Sequence, residues 1–198
     1  GYCPSHCNHH PAFEGLAASH RPPTEGRSTL LEQRSNKMAK LSLVAAAQQH
    51  SMVITHTFNA PRELVFKLMT DPQTIAQWWG PPSLSLTVAK MEPWSGGNWQ
   101  YLLHDTQGNE WAFHGVYHSI VVPLQTIYTY EWEGQPGHVS LETVTFEHHE
   151  TGTKVTSTSV FQSIEDRDAM LVSEMQADGD QKMERLAKLL ADLQPPGI

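Results

Sequence analysis

From Phe58 to Gly80 the chain reads FNAPRELVFKLMTDPQTIAQWWG, and its apolar positions pass from alternation to helical spacing. Pro61 has a fixed φ and no N–H to donate, so it suits the first turn of a helix running to about Met69. Leu64, Val65, Leu68 and Met69 form the apolar stripe of that helix. Asp71 is placed to cap a second helix with Pro72 in its first turn. Gly80 closes that helix, and Pro81 and Pro82 block its continuation. Trp78 and Trp79 arrive together where the chain turns toward a sheet, and that much aromatic surface calls for burial.

On both sides of this pair the period is two. Val53–Phe58 predicts an opening strand, with Ile54, His56 and Phe58 on one face. Trp99, Tyr101 and Leu103 share a face opposite Asn98, Gln100 and His104, and Asp105–Asn109 supplies a hairpin turn. Trp111, Phe113 and Tyr117 continue an aromatic face around Gly115, a glycine of the kind that marks a bulge or bend within a strand. Tyr128, Tyr130 and Trp132 alternate with Ile127, Thr129 and Glu131, and Val144, Phe146 and His148 alternate with Thr143, Thr145 and Glu147. A last strand is expected from about Thr153 to Phe161. Beyond it, Met175, Gly179, Met183, Leu186 and Leu190 recur at steps of three and four, one face of a long amphipathic helix from about Asp166 to Leu193. Gly179 in its middle costs roughly 1 kcal/mol relative to Ala, so it permits a kink or close approach or is simply tolerated.

The two-helix segment resembles the start of the domain shared by proteins similar to the activator of the Hsp90 ATPase, in the START-like (helix-grip) superfamily. Further matches follow in order: Ser95-Gly96-Gly97-Asn98-Trp99, Phe113-His114-Gly115-Val116-Tyr117, Val122-Pro123-Leu124, Val144-Thr145-Phe146 and Gly152-Thr153-Lys154-Val155, ending in the C-terminal helix. The resemblance spans roughly Val53 to Leu193 and rests on their order and spacing together. It implies an α+β helix-grip fold, in which a curved antiparallel sheet wraps a long C-terminal helix and two short helices close one end. It also implies a cavity between sheet and helix. Trp78, Trp79, Trp99, Tyr101, Phe113, Tyr117, Tyr128, Tyr130, Phe146, Met175 and Met183 would then line an apolar pocket with a few polar tips. Such a lining suits a hydrophobic or aromatic small molecule, and methionine adapts to ligands of variable shape. The alternative is that these side chains simply fill the core. Two departures from the family pattern stand out. Trp94-Ser95 replaces an arginine before the Gly-Gly pair, and Asp180 stands where an aromatic commonly follows the helix glycine.

Composition bounds what this domain can meet. The first 50 residues carry five Lys/Arg and three Asp/Glu, so the overall net charge of −8 leaves −10 on residues 51–198. A domain that acidic does not suit a phosphate backbone or an anionic membrane surface. The longest apolar stretch, Leu41 to Ala47, is too short to cross a bilayer. Residues 1–50 read as a tail and 51–198 as the domain, since residues 1–37 lack sustained periodicity and are rich in Pro, Gly, Ser and His. Met38-Ala39-Lys40 resembles a natural start, which would make residues 1–37 upstream-encoded or added sequence. Both cysteines, Cys3 and Cys7, lie there beside His6, His9 and His10, a tract that could bind a soft metal but lacks a second ligand pair downstream. The domain itself has no cysteine, as expected for a cytosolic protein held by its core.

Candidate acid–base chemistry centres on His104, His114 and His118 with Asp105 and Glu110 nearby. By alternation these histidines point away from the Trp/Tyr face. No Gly-x-Ser-x-Gly elbow, phosphate loop or dinucleotide fingerprint is present, and no cofactor is implied. The readings in order are therefore a small-molecule binding protein, an enzyme of cyclase or hydrolase type on the same scaffold, and a partner module that stimulates a chaperone ATPase. An exposed sheet edge would also support a homodimer.

Overall fold

The computed structural model describes the backbone at residues 39–45, 48–176 and 179–194, and the side chains of these except 39–41 and 173–180. Eight strands form one antiparallel sheet in the order β1-β2-β8-β7-β6-β5-β4-β3. They are β1 (Ala39–Ala45), β2 (Ser51–Phe58), β3 (Ser85–Met91), β4 (Asn98–His104), β5 (Glu110–Val121), β6 (Gln125–Trp132), β7 (Ser140–His149) and β8 (Gly152–Val160). Helices α1 (Arg62–Thr70) and α2 (Pro72–Trp78) follow β2, and α3 (Ile164–Gln176) and α4 (Gly179–Leu193) follow β8. This is the α+β helix-grip arrangement, a curved sheet with helices on its inner side.

The helix pair forms for the local reasons that its sequence holds. Pro61 caps α1, Asp71 Oδ1 accepts from Gln73 N–H at 2.9 Å, and Pro72 begins α2. Gly80 leaves the helix at φ +81°, a conformation that glycine adopts without steric cost. Val65, Phe66 and Leu68 bury the inner stripe of α1. Trp78 staples the two helices together: its Nε1–H donates to the Leu68 carbonyl at 3.2 Å, while Thr74 Oγ1 donates to the same carbonyl at 2.9 Å.

The strands follow their alternation. Trp99, Tyr101 and Leu103 of β4 are buried, and so are Trp111, Phe113 and Tyr117 of β5 and Val144 and Phe146 of β7. Hydrogen bonds fasten the ends of the sheet to the helical layer. Thr153 Oγ1 of β8 donates to the Ala60 carbonyl at 2.7 Å, and Arg167 of α3 donates to the Gln49 carbonyl at 2.9 Å. On α4, Met183, Leu186, Ala187 and Leu190 enter the same core as the sheet aromatics, with α1 and α2 packed alongside.

One feature differs from the sequence reading. The sheet starts before residue 51, because Ala39–Ala45 pairs along the whole of β2, from Ala39 opposite Phe58 to Ala45 opposite Met52. The open edge of β2 supplies a row of backbone donors and acceptors that a short, weakly patterned segment satisfies. Residues 1–38, with the Cys3–His10 tract, lie outside the described residues. Of the long C-terminal helix expected from about Asp166 to Leu193, the structure describes two helical segments, α3 and α4, and residues 177–178 between them lie outside the described residues.

Candidate functional site

The concave side of β4, β5 and β6 presents one continuous aromatic lattice. Trp99 of β4 lies 4.7 Å from Tyr101, 6.1 Å from Tyr128 and 6.0 Å from Tyr130, measured between ring centroids. Phe113 stacks on Tyr130 at 5.7 Å, and Tyr117 meets Tyr128 edge-on at 5.8 Å. Trp79, in the turn after α2, closes one end by contacting Tyr101 at 5.1 Å and Phe113 at 5.6 Å. Strand alternation brings these rings to one face, and the register then aligns them across it, since Trp99 lies opposite Gly115 and Tyr117 opposite Tyr128. Gly115 makes the lattice feasible. A Cβ built there would sit 1.7 Å from the Thr129 carbonyl oxygen and 2.6 Å from Trp99 Nε1.

Polar tips lie within this apolar surface. The Tyr101 hydroxyl donates to Met91 Sδ at 3.3 Å, and burial pushes its pKa far up. Burial also pushes the Tyr117 hydroxyl up to about 12, against a lowering contribution from its hydrogen bond with Tyr101. Tyr128 is raised well above the ordinary range by burial, then by the charge of Glu142, its partner across the β6–β7 ladder. Trp99 is 3% exposed, and its Nε1–H has no hydrogen-bond partner.

The expected site residues divide into three groups. Trp79, Trp99, Tyr101, Phe113, Tyr117, Tyr128 and Tyr130 are brought together in the lattice. Trp78 and Phe146 stand apart from its ring contacts. The first is committed to the Leu68 carbonyl, and the second packs edge-on against Phe66 of α1 at 5.1 Å. Met183 is buried in the common core from α4, and the side chain of Met175 lies outside the described residues.

Alternation sets His104, His114 and His118 on the side away from the lattice, as expected, while His56 lies inward beside Phe58. His104 pairs with Glu110 at 3.6 Å, and His114 bridges Glu131 and Glu133 at 3.2 and 3.3 Å. His118 is exposed, and His148 and His149 end strand β7 at the surface. Among the described residues, no group of three or more His, Cys, Asp or Glu side chains is arranged to hold a metal ion.

One inward polar residue was missed. Glu142 shares the parity of Val144 and Phe146, which the sequence pattern had already assigned to one face. Ser140 Oγ donates to its Oε1 and Ser159 Oγ to its Oε2, each at 2.6 Å. Extending the alternation two residues upstream would have found it. A separate open groove of about 560 Å³ lies at the end of the sheet, between Arg62 of α1, Val121, Leu124 and Gln125 of the β5–β6 turn, and Phe146 and His148 of β7.

The fold belongs to a known family. Residues 59–191 match the profile of the Activator of Hsp90 ATPase homolog 1-like protein family, so the chain is a member of it, within the START-like superfamily. Solved structures agree on the fold. A Rhodobacter sphaeroides protein superposes with a TM-score of 0.71 at 19% identity, over 78% of this chain and 100% of its own. An Arthrobacter aurescens protein gives 0.69 at 24% identity over 76% and 91%, and a Mycobacterium smegmatis protein gives 0.68 at 21% over 78% and 100%. No curated protein sequence matches the chain. Among the described residues no helix is long and apolar enough to cross a membrane.

Proposed function

We propose that the protein binds a hydrophobic or aromatic small molecule between the concave aromatic lattice and the C-terminal helical segment. The observation that carries this reading is Trp99 Nε1–H, a buried donor without a partner on a ring that contacts Tyr101, Tyr128 and Tyr130 within the lattice. Leaving such a group unpaired costs about 1–3 kcal/mol, and native structures rarely do so. A ligand bearing an acceptor atom over the lattice satisfies the indole and buries its own apolar surface on the rings. The acidic, cysteine-free domain supports a cytosolic setting.

The test is native mass spectrometry of freshly purified protein, followed by thermal-shift screening with fatty acids, sterols and aromatic polyketides. A ligand at 100 times its Kd stabilises by about 2.7 kcal/mol, which is roughly 5–10 °C for a domain of this size. Trp99→Phe keeps an aromatic ring in the lattice and removes the donor. It is expected to bind carbonyl-bearing ligands more weakly while retaining saturable binding of hydrocarbons. If no compound is retained or stabilises the protein, the lattice is a filled core. The competing reading, taken from the family description, is a partner module for the Hsp90 ATPase, and it predicts a stable complex with the chaperone.

A further inference from the structure

Glu142 is the one acidic side chain described here on the concave face of β7, and it lies at the edge of the aromatic lattice rather than within the apolar core. The register sets it directly opposite Tyr128 on β6 and Ser159 on β8, while Ser140 precedes it by two positions on the same face. Both carboxylate oxygens act as acceptors, the role of an ionised carboxylate, and the two short serine hydrogen bonds hold the group in place. Ser140 and Ser159 are themselves buried, whereas Tyr128, Tyr130 and Glu142 keep partial exposure as residues, even though the Tyr128 hydroxyl itself is shielded. The ring opposite the carboxylate is that of Tyr128, which leads into the lattice: its centroid lies 5.8 Å from Tyr117 and 6.1 Å from Trp99, and Trp99 lies 6.0 Å from Tyr130.

A carboxylate opposite a tyrosine ring, at the edge of a lattice of tyrosine and tryptophan rings, is a chemistry for cations. A ring quadrupole attracts a cation within about 6 Å of its face, and more strongly once the site is desolvated. A charge-assisted hydrogen bond from an ammonium to a carboxylate is about twice as strong as a neutral one. An anionic ligand would meet repulsion at the same point, and a neutral donor would hydrogen-bond to Glu142 without the attraction between opposite charges or the cation–ring term. We propose that the ligand is an organic cation, an apolar or aromatic body carrying an amine, whose ammonium group sits at Glu142 while its body lies on the lattice and presents an acceptor to Trp99 Nε1. This inference rests on the ligand-binding reading above and narrows it to one class.

The experiment compares two probes of the same shape, naphthylmethylamine and naphthylmethanol, by titration calorimetry at fixed pH and ionic strength. Wild-type protein is expected to bind the amine about tenfold tighter or more. Glu142→Gln, which is isosteric, is expected to remove that preference and leave binding of the alcohol within about twofold. Glu147→Gln, at an exposed carboxylate ion-paired with Lys154, controls for the general acidity of the domain and should leave the preference intact. Equal binding of the two probes by wild-type protein overturns the cation assignment alone, whether or not the Glu142 variant folds. A preference that survives Glu142→Gln, or that Glu147→Gln abolishes, also overturns it. Failure of both probes to bind overturns the ligand-binding reading and this inference with it.

Discussion

Gly115 is where the geometry makes its sharpest demand. In Gly115→Ala, the new methyl carbon would start 1.7 Å from the Thr129 oxygen, 2.7 Å from its carbonyl carbon and 2.6 Å from Trp99 Nε1. Even a close carbon–oxygen contact between strands is about 3.3–3.6 Å, so β5 and β6 must part there by more than an ångström. The displaced backbone carries the Val116 N–H bond to Thr129 Oγ1 (3.0 Å), and the Trp99 ring resting on this spot is pushed off its neighbours. Overpacking of this kind costs about 1–3 kcal/mol, and a lost hydrogen bond adds about 1 kcal/mol. The lower chain entropy of unfolded alanine returns about 0.4–1 kcal/mol. The net loss is about 2–3 kcal/mol, or a fall in Tm of roughly 5–10 °C. Scanning calorimetry gives the Tm, and near-ultraviolet circular dichroism follows the tryptophans. Gly108→Ala is the control. That site has open space around it but sits at φ +90°, so only the backbone cost of about 1 kcal/mol applies. A Gly115→Ala protein melting within about 2 °C of wild type, with an unchanged aromatic spectrum, would show that the strands do not approach as described.

Arg185→Met should destabilise by about 1–3 kcal/mol, because Arg185 Nη2 on α4 donates to the Trp78 carbonyl at 2.8 Å and also to the Gly80 carbonyl. Methionine keeps the apolar stem, so a Tm within about 1 °C of wild type would mean that these bonds contribute nothing to stability. Alkaline pH offers another check, since the folded Tyr117 pKa is pushed up to about 12 from an unfolded value near 10. A raised pKa adds stability that is fully present below pH ~10 and is lost as pH rises through ~12, about 2–3 kcal/mol in all. Chemical denaturation at stepped pH should therefore weaken above pH ~10 in wild type, and less in Tyr117→Phe. Identical slopes for the two proteins would count against the burial of that hydroxyl.

Much of this molecule was legible in local sequence, and for a physical reason. Capping and turn chemistry act within four residues, so Pro61, Asp71, Pro72 and Gly80 mark the helix pair with no knowledge of the rest of the chain. Side chains of a strand alternate strictly, so Trp99, Tyr101, Phe113, Tyr117, Tyr128 and Tyr130 could be assigned to one face and His104 and His114 to the other. Glu142 was within reach of the same rule and was passed over. What alternation cannot say is what each face meets. Trp78 and Trp79 are neighbours in sequence, yet one is fixed to the Leu68 carbonyl and the other closes the lattice over Tyr101. The strand at Ala39–Ala45 depends on the unpaired edge of β2, and the pairing of β2 with β8 joins residues about a hundred positions apart. The approach of Trp99 to Gly115, and of Glu142 to Tyr128, depends on register between strands that a sequence pattern does not encode. The chain by itself determined the elements and their inward faces, because those follow from covalent geometry and near-neighbour sterics. Only the folded sheet decided which inward groups share a surface, because that depends on long-range hydrogen-bond register and on what packs over it.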